Sequence, residues 1–123
     1  MYPGFVYFIR PDVENAPVKI GYSRNPERRL KTSGFWVPFP LVLVAKFPGD
    51  TSLESRVHHH LLNSHSHYEW FHWTSEVEQF VGSVLDGSLK IENLPPDLGA
   101  IRFVKMRYAR DAEASNSIEG AKP

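Results

Sequence analysis

Apolar positions fall into short runs whose period changes along the chain. Phe5-Val6-Tyr7-Phe8-Ile9 is β-branched and aromatic, bounded by Pro3-Gly4 and Arg10-Pro11, and predicts a first strand. Val18-Lys19-Ile20-Gly21-Tyr22 predicts a second, near enough through residues 13–17 to close a hairpin. Asn25-Pro26-Glu27 supplies an N-cap, a proline at the first helical position and an acid in the first turn. A short helix therefore runs through Arg28-Arg29-Leu30-Lys31 and stops at Gly34. Leu41 to Phe47 is an apolar run of strand length and is expected as a well-covered third strand. After Pro48-Gly49 the period lengthens. Thr51-Ser52-Leu53-Glu54 matches a capping box opening a helix to about Asn63, with Leu53, Val57 and Leu61 as its buried stripe. Ser75-Glu76-Val77-Glu78 repeats the signal ahead of Phe80, Val81, Val84 and Leu85, and Gly87 lies past the end. Between these helices the segment His67 to Trp73 is aromatic without a period. Trp70 and Phe71 are assigned to the core, and His72 and Trp73 are left between core and a stacking surface for bases.

This order predicts an α/β (α+β) domain: a small three-stranded mixed or antiparallel sheet flanked by helices, over residues 1–87. Residues 88–123 are expected as a C-terminal extension, with a basic segment at 101–110 and a polar tail. A length of 123 residues suits one domain, and 41% hydrophobic with 23% charged residues excludes wholesale disorder. The absence of cysteine excludes a disulfide framework, cysteine-ligated zinc and thiol catalysis. The longest apolar run, Leu41 to Ala45, is far short of the ~20 residues that span a bilayer. No N-terminal targeting pattern is seen, so the expected location is the cytoplasm, with no membrane partner.

The net charge is +0, which at face value argues against a strong nucleic-acid binder. It is unevenly spread. Residues 1–47 hold seven basic and three acidic residues, 48–97 hold two and eight, and 98–123 hold five and three. A basic front half is suited to a local phosphate site, and the acidic 48–97 region to a protein partner.

There is no Gly-rich phosphate loop and no G-x-S-x-G elbow. Of the six histidines, His58, His59 and His60 point about 100° apart on a helix and cannot share one metal. His58 lies one turn after Glu54, a weak zinc pattern beside the ordinary role of a core-edge histidine. The front half carries a more ordered set. Gly4-Phe5-Val6-Tyr7 lies in the first strand and Lys19-Ile20-Gly21 in the second. Ser23…Arg29 follows, and Glu54 stands at the start of the next helix within Leu53-Glu54-x-x-Val57-His58. With Glu69-Trp70-Phe71 added, this sequence resembles the GIY-YIG nuclease superfamily, in particular its bacteriophage-ORF and meiotically-up-regulated-gene-like branch. The resemblance covers about residues 4–86. It implies an endonuclease-type domain with Tyr7 in the first motif, Lys19 in place of the second signature tyrosine, Arg29 on the first helix and Glu54 as metal ligand. The histidine that often follows the helix arginine is missing from Arg29-Leu30-Lys31-Thr32-Ser33.

Chemistry assigns compatible roles. A lone carboxylate such as Glu54 suits Mg²⁺ (or Mn²⁺), which keeps most of its waters. Arg29 can clamp a phosphoryl oxygen through its planar fork. Tyr7 can orient or deprotonate the attacking water. As a base it needs a pKa brought down from about 10 toward neutrality, and Lys19 across the hairpin is the expected cation for that. Tyr22, Gly21, Ser23 and His58 are further candidates around the same motifs. Taken singly, each residue has a plainer role: Tyr7 a strand aromatic, Lys19 the solvent face of an edge strand, Arg29 a solvated helix charge, Gly21 a bulge. Glu54 would be the fourth residue of a capping box. The expected function is Mg²⁺-dependent hydrolysis of DNA phosphodiesters. The alternatives are a catalytically inactive DNA-binding or regulatory module on the same fold, and a protein-interaction domain.

Overall fold

The expected hairpin forms from β1 (Gly4–Pro11) and β2 (Val18–Ser23) in the computed structural model, which describes residues 2–34 and 37–95. Alternation along the strands sets its two faces. Val6 and Phe8 on β1, with Val18 and Ile20 on β2, are wholly buried on one side. Tyr7 points to the other side, directly across from Gly21 on β2 and Lys46 on the third strand.

That third strand, β3 (Leu41–Gly49), pairs antiparallel with the far edge of β1. It is the outer strand of the sheet, not the well-covered one its apolar run suggests. Ala45, Phe47 and Gly49 are buried, whereas Val42, Lys46 and Pro48 alternate outward, and a charge and a proline on an outer strand blunt edge pairing.

The expectation of three strands is corrected to five. β4 (His65–His67) and β5 (Trp70–Phe71) extend the sheet in the order β3-β1-β2-β5-β4, every neighbouring pair antiparallel. Strands this short carry no readable period. They form because the outer edge of β2 would otherwise leave Val18 uncovered, and Phe71 sits opposite it in register. The expectation that Trp70 and Phe71 both join the core is also corrected. As consecutive strand residues they face opposite ways: Phe71 is buried, and Trp70 stays half-exposed beside Lys19. Trp73 packs against the core instead and carries the Arg10 guanidinium 4.3 Å above its ring.

Three helices complete the α+β fold. In α1 (Pro26–Gly34), Asn25 Oδ1 accepts from Arg28 N at 3.1 Å, as expected of the N-cap. Each later helix is capped one residue before its expected capping box. Asp50 Oδ1 accepts from Leu53 N at 2.9 Å to cap α2 (Thr51–His60), and Thr74 Oγ1 accepts from Val77 N at 3.2 Å to cap α3 (Ser75–Leu85). Glu54 is therefore not the acid of a capping box, and capping does not account for it. Helix α2 also stops short of Asn63, giving way to a 3₁₀ turn at Leu62–Ser64. Asp50→Ala is expected to cost about 1 kcal/mol in urea denaturation, and Thr51→Ala much less, because Thr51 occupies the first helical position.

Leu53, Val57 and Leu61 from α2 and Val77, Phe80 and Val81 from α3 pack on Val6, Phe8, Ala45 and Phe47 of the sheet. The core continues through Ile91 and Leu94, past the boundary placed at residue 87, where Arg56 Nη1 donates to Glu92 O at 3.5 Å. The basic segment at 101–110 and the tail expected after it lie outside the described residues. Among the described residues no helix is long and apolar enough to cross a membrane.

Candidate functional site

Tyr7 is central in β1 and 2% exposed, so its ring needs space within the sheet surface. Gly21 provides it. A Cβ on Gly21 would lie against the Tyr7 Oη and only 2.5 Å from Cζ, so the phenol end of Tyr7 lies over the β2 backbone. Just before this glycine, β2 is tied to neighbouring elements through Ile20, whose N donates to Glu69 O at 2.9 Å and whose O accepts from His58 Nε2 at 2.8 Å. The first bond seats Glu69 beside Lys19 at the start of β5. The second anchors α2 to β2 one turn beyond Glu54. His58 is buried with its ring 5.0 Å from Phe71. It is a clamp between helix and strand.

The electrostatics of the site link five side chains. Burial pushes the Tyr7 hydroxyl up to about 12, the Glu69 and Glu54 charges push the same way, and Arg29 opposes them. Burial raises Glu54 to about 7, reinforced by Glu69 and opposed by Lys19. Burial also raises Glu69, against the pull of Lys19 and Arg29. Tyr7, Lys19, Arg29, Glu54 and Glu69 are thus linked by charge, although they come from β1, β2, α1, α2 and the turn before β5. The expected assistance of Lys19 to Tyr7 is not what the structure contains. Lys19 acts on the two carboxylates, the cation beside Tyr7 is Arg29, and burial outweighs it. The Tyr7 hydroxyl keeps its proton at neutral pH.

Tyr22 stands apart from this group. It pairs across the hairpin with Val6, hence on the face opposite Tyr7, and its ring end lies over Gly4, where a Cβ would meet its Oη at 2.8 Å. Ser23 shapes the turn into α1, its Oγ accepting from Asn25 N at 3.0 Å. Glu69 is the member of the cluster to which the sequence assigned no role. The available signal was a carboxylate wedged between Tyr68 and Trp70, beside a strand edge. Lys19, Tyr68, Glu69 and Trp70 line a cleft of about 370 Å³, and Tyr68 holds a φ of 51°, an uncommon conformation for a bulky residue.

Among the described residues no group of three or more His, Cys, Asp or Glu is placed to hold a metal ion. The oxygen donors available are the two carboxylates Glu54 and Glu69, both raised chiefly by burial against the pull of nearby cations. That fits a hard divalent cation that keeps most of its waters, Mg²⁺ or Mn²⁺, and does not fit a closed zinc cage.

A small α+β domain, with a five-stranded antiparallel sheet and a half-buried cluster of two acids, two cations and a tyrosine, is the class that these observations define. The chain belongs to the T5orf172 domain family, a bacteriophage-associated domain linked to nucleases, whose model matches residues 4–85. That span runs from the start of β1 to the end of α3 and includes all five clustered residues. No curated protein and no solved structure matches the chain significantly.

Proposed function

We propose that the domain is a divalent-cation-dependent endonuclease of the GIY-YIG kind, hydrolysing DNA phosphodiester bonds. The observation that carries this reading is the convergence of Tyr7, Lys19, Arg29, Glu54 and Glu69 from separate elements onto one site. Membership of a domain family linked to nucleases supports it independently.

Each side chain has a role in that chemistry. Arg29, on the exposed surface of α1, holds a non-bridging phosphoryl oxygen through its guanidinium fork and offsets charge developing there. Tyr7, fixed over Gly21 and protonated, orients the attacking water through its hydroxyl; it is a positioning donor, not a strong base. Lys19 keeps Glu54 and Glu69 closer to ionisation than burial alone would allow. Glu54, supported by Glu69, would hold Mg²⁺ or Mn²⁺. Such a cation, when bound, supplies Lewis-acid polarisation of the phosphoryl group.

Incubation of supercoiled plasmid with the protein and Mg²⁺ or Mn²⁺ is expected to give nicked or linear product. Arg29→Ala should reduce the rate by roughly 10²-fold or more, the usual cost of losing one preorganised donor to a developing oxyanion. A wild-type protein inert on DNA with either cation overturns the reading. Salt-dependent binding without cleavage would instead establish the non-catalytic binding module, which the high pKa of Tyr7 favours.

A further inference from the structure

A second groove includes Arg29 in its lining. It has a volume of about 260 Å³ and is lined by Ser23, Arg24, Asn25, Arg28, Arg29 and Thr32. Its charge is one-sided. Asn25 Oδ1 accepts from Arg28 N, and Ser23 Oγ accepts from Asn25 N at 3.0 Å. Thr32 Oγ1 donates back to Arg28 O at 2.9 Å. Beside these oxygens the groove offers three guanidinium groups, the Asn25 amide N–H pair and the Ser23 hydroxyl proton as donors. No acid lines the groove. Glu27, the acid nearest in sequence, is drawn away by Lys46, with Nζ–Oε1 at 2.6 Å. Among the described residues neither Arg24 nor Arg28 is paired with a carboxylate. The tyrosine–carboxylate cluster uses neither arginine.

Three guanidinium groups with no carboxylate among the lining residues select an anion, and planar forks suit phosphate oxygens. Arg29 belongs to both places: it lines this groove and interacts with Tyr7 and Glu69 in the cluster. An anion in the groove is therefore a near neighbour of whatever phosphoryl group Arg29 holds. We infer that the Ser23–Thr32 groove is a flanking-phosphate subsite, in which Arg24 and Arg28 grip a backbone phosphate of the same DNA that presents its scissile phosphate to Arg29. This inference rests on the proposed DNA-cleaving function and names how the substrate is held. It also explains how a chain of zero net charge engages a polyanion: the cations are concentrated on one short helix and the turn before it.

The test is the binding of a short fluorescein-labelled DNA duplex, by anisotropy, across a salt series, with Ca²⁺ replacing Mg²⁺ to suppress turnover. R24A/R28A should lower affinity roughly tenfold at low salt and reduce the slope of log K against log salt by about 2, one for each lost phosphate contact. R24K/R28K should recover most of the slope, because the charges are kept. R56A/K90A removes two cations outside the groove and should leave the slope unchanged. An R24A/R28A slope equal to wild type, or equal losses in R24A/R28A and R56A/K90A, overturns the subsite. Arg24, Arg28 and Lys90 are exposed and Arg56 is partly buried, and unchanged melting temperatures will show that the fold is kept. Failure of the wild type to cleave, with its binding slope still dependent on Arg24 and Arg28, would refute the nuclease function and leave the subsite standing. A wild type that neither binds nor cleaves removes both.

Discussion

Glu54→Gln is expected to abolish DNA cleavage and at the same time make the folded domain more stable above neutral pH. The two effects have one cause. Glu54 is pushed up to about 7 chiefly by burial and then by Glu69, so its ionised form is disfavoured in the folded state. In the unfolded chain it returns to an ordinary value of 4.5. Between those values the folded state binds the extra proton, and stability falls as pH rises. The contribution is fully present below about pH 4.5 and is lost as pH rises through about 7. Its upper bound is about 3 kcal/mol, reduced by the solvent that still reaches the carboxylate. Glutamine keeps the shape and removes the ionisation, so urea midpoints of E54Q should exceed wild type at pH 8 and converge with it near pH 5. Part of the slope will persist, because Glu69 is raised in the same direction. Added Mg²⁺ should raise the melting temperature of wild type and leave E54Q unmoved. Cleavage should fall by at least roughly 100-fold, since the proposed ligand to the cation is lost. If the variant cleaves normally, or if its pH profile equals that of wild type, Glu54 is not the charged group at the centre of the site.

Much of this arrangement was legible in the chain before its coordinates, and the parts that were not share a physical reason. β1, β2 and the three helices announce themselves through period and punctuation: Pro3-Gly4 before β1, Asn25-Pro26 into α1, and the Leu53, Val57 and Leu61 stripe of α2. Local chemistry fixes such elements, so local patterns reveal them. The cap positions were misplaced by one residue because Asp50-Thr51-Ser52 and Thr74-Ser75 offer adjacent competent caps, and tertiary packing chooses between them. β4 and β5 were missed because they are held by the edge of β2, a partner distant in sequence. The same distance hid the role of Glu69. Its membership of the site depends on the bond from Ile20 N to its carbonyl, which no spacing rule contains. The ordered motif names Tyr7, Lys19, Arg29 and Glu54 as one candidate set. It could not say which cation faces which group. Tyr22, adjacent to Gly21 in sequence, lies on the opposite face by strand alternation, a consequence of period two that counting along the motif overlooks.

The second large effect is expected at Gly21, which carries no functional group. Gly21→Ala places one methyl against the end of the Tyr7 ring, 2.5 Å from Cζ in the present geometry. Real Cβ contacts are not that short, so something must move. Tyr7 is 2% exposed, while the β2 backbone is held at the preceding residue, Ile20 bonding through its N to Glu69 and through its O to His58. Overpacking of this kind costs about 1–3 kcal/mol. For a domain of this size that is a loss of roughly 10 °C in melting temperature. Cleavage should fall further than stability alone explains, because the displaced group is the hydroxyl that orients the water. Gly82→Ala provides the opposite sign from the same chemical change. Gly82 lies within α3 with open space where its Cβ would go, so alanine should stabilise by about 0.5–1 kcal/mol through helix propensity alone. If both variants melt higher than wild type, β2 and Tyr7 can separate without loss, and the close approach at Gly21 is not what positions Tyr7. If G21A melts low but cleaves normally below its melting temperature, the approach is structural only and the water must be oriented by another group. The combination expected is a low melting temperature and lost cleavage in G21A, against a raised melting temperature and retained cleavage in G82A. It would tie the glycine of the second motif to the tyrosine of the first as a single device: the absent side chain on β2 makes the space in which the phenol is held.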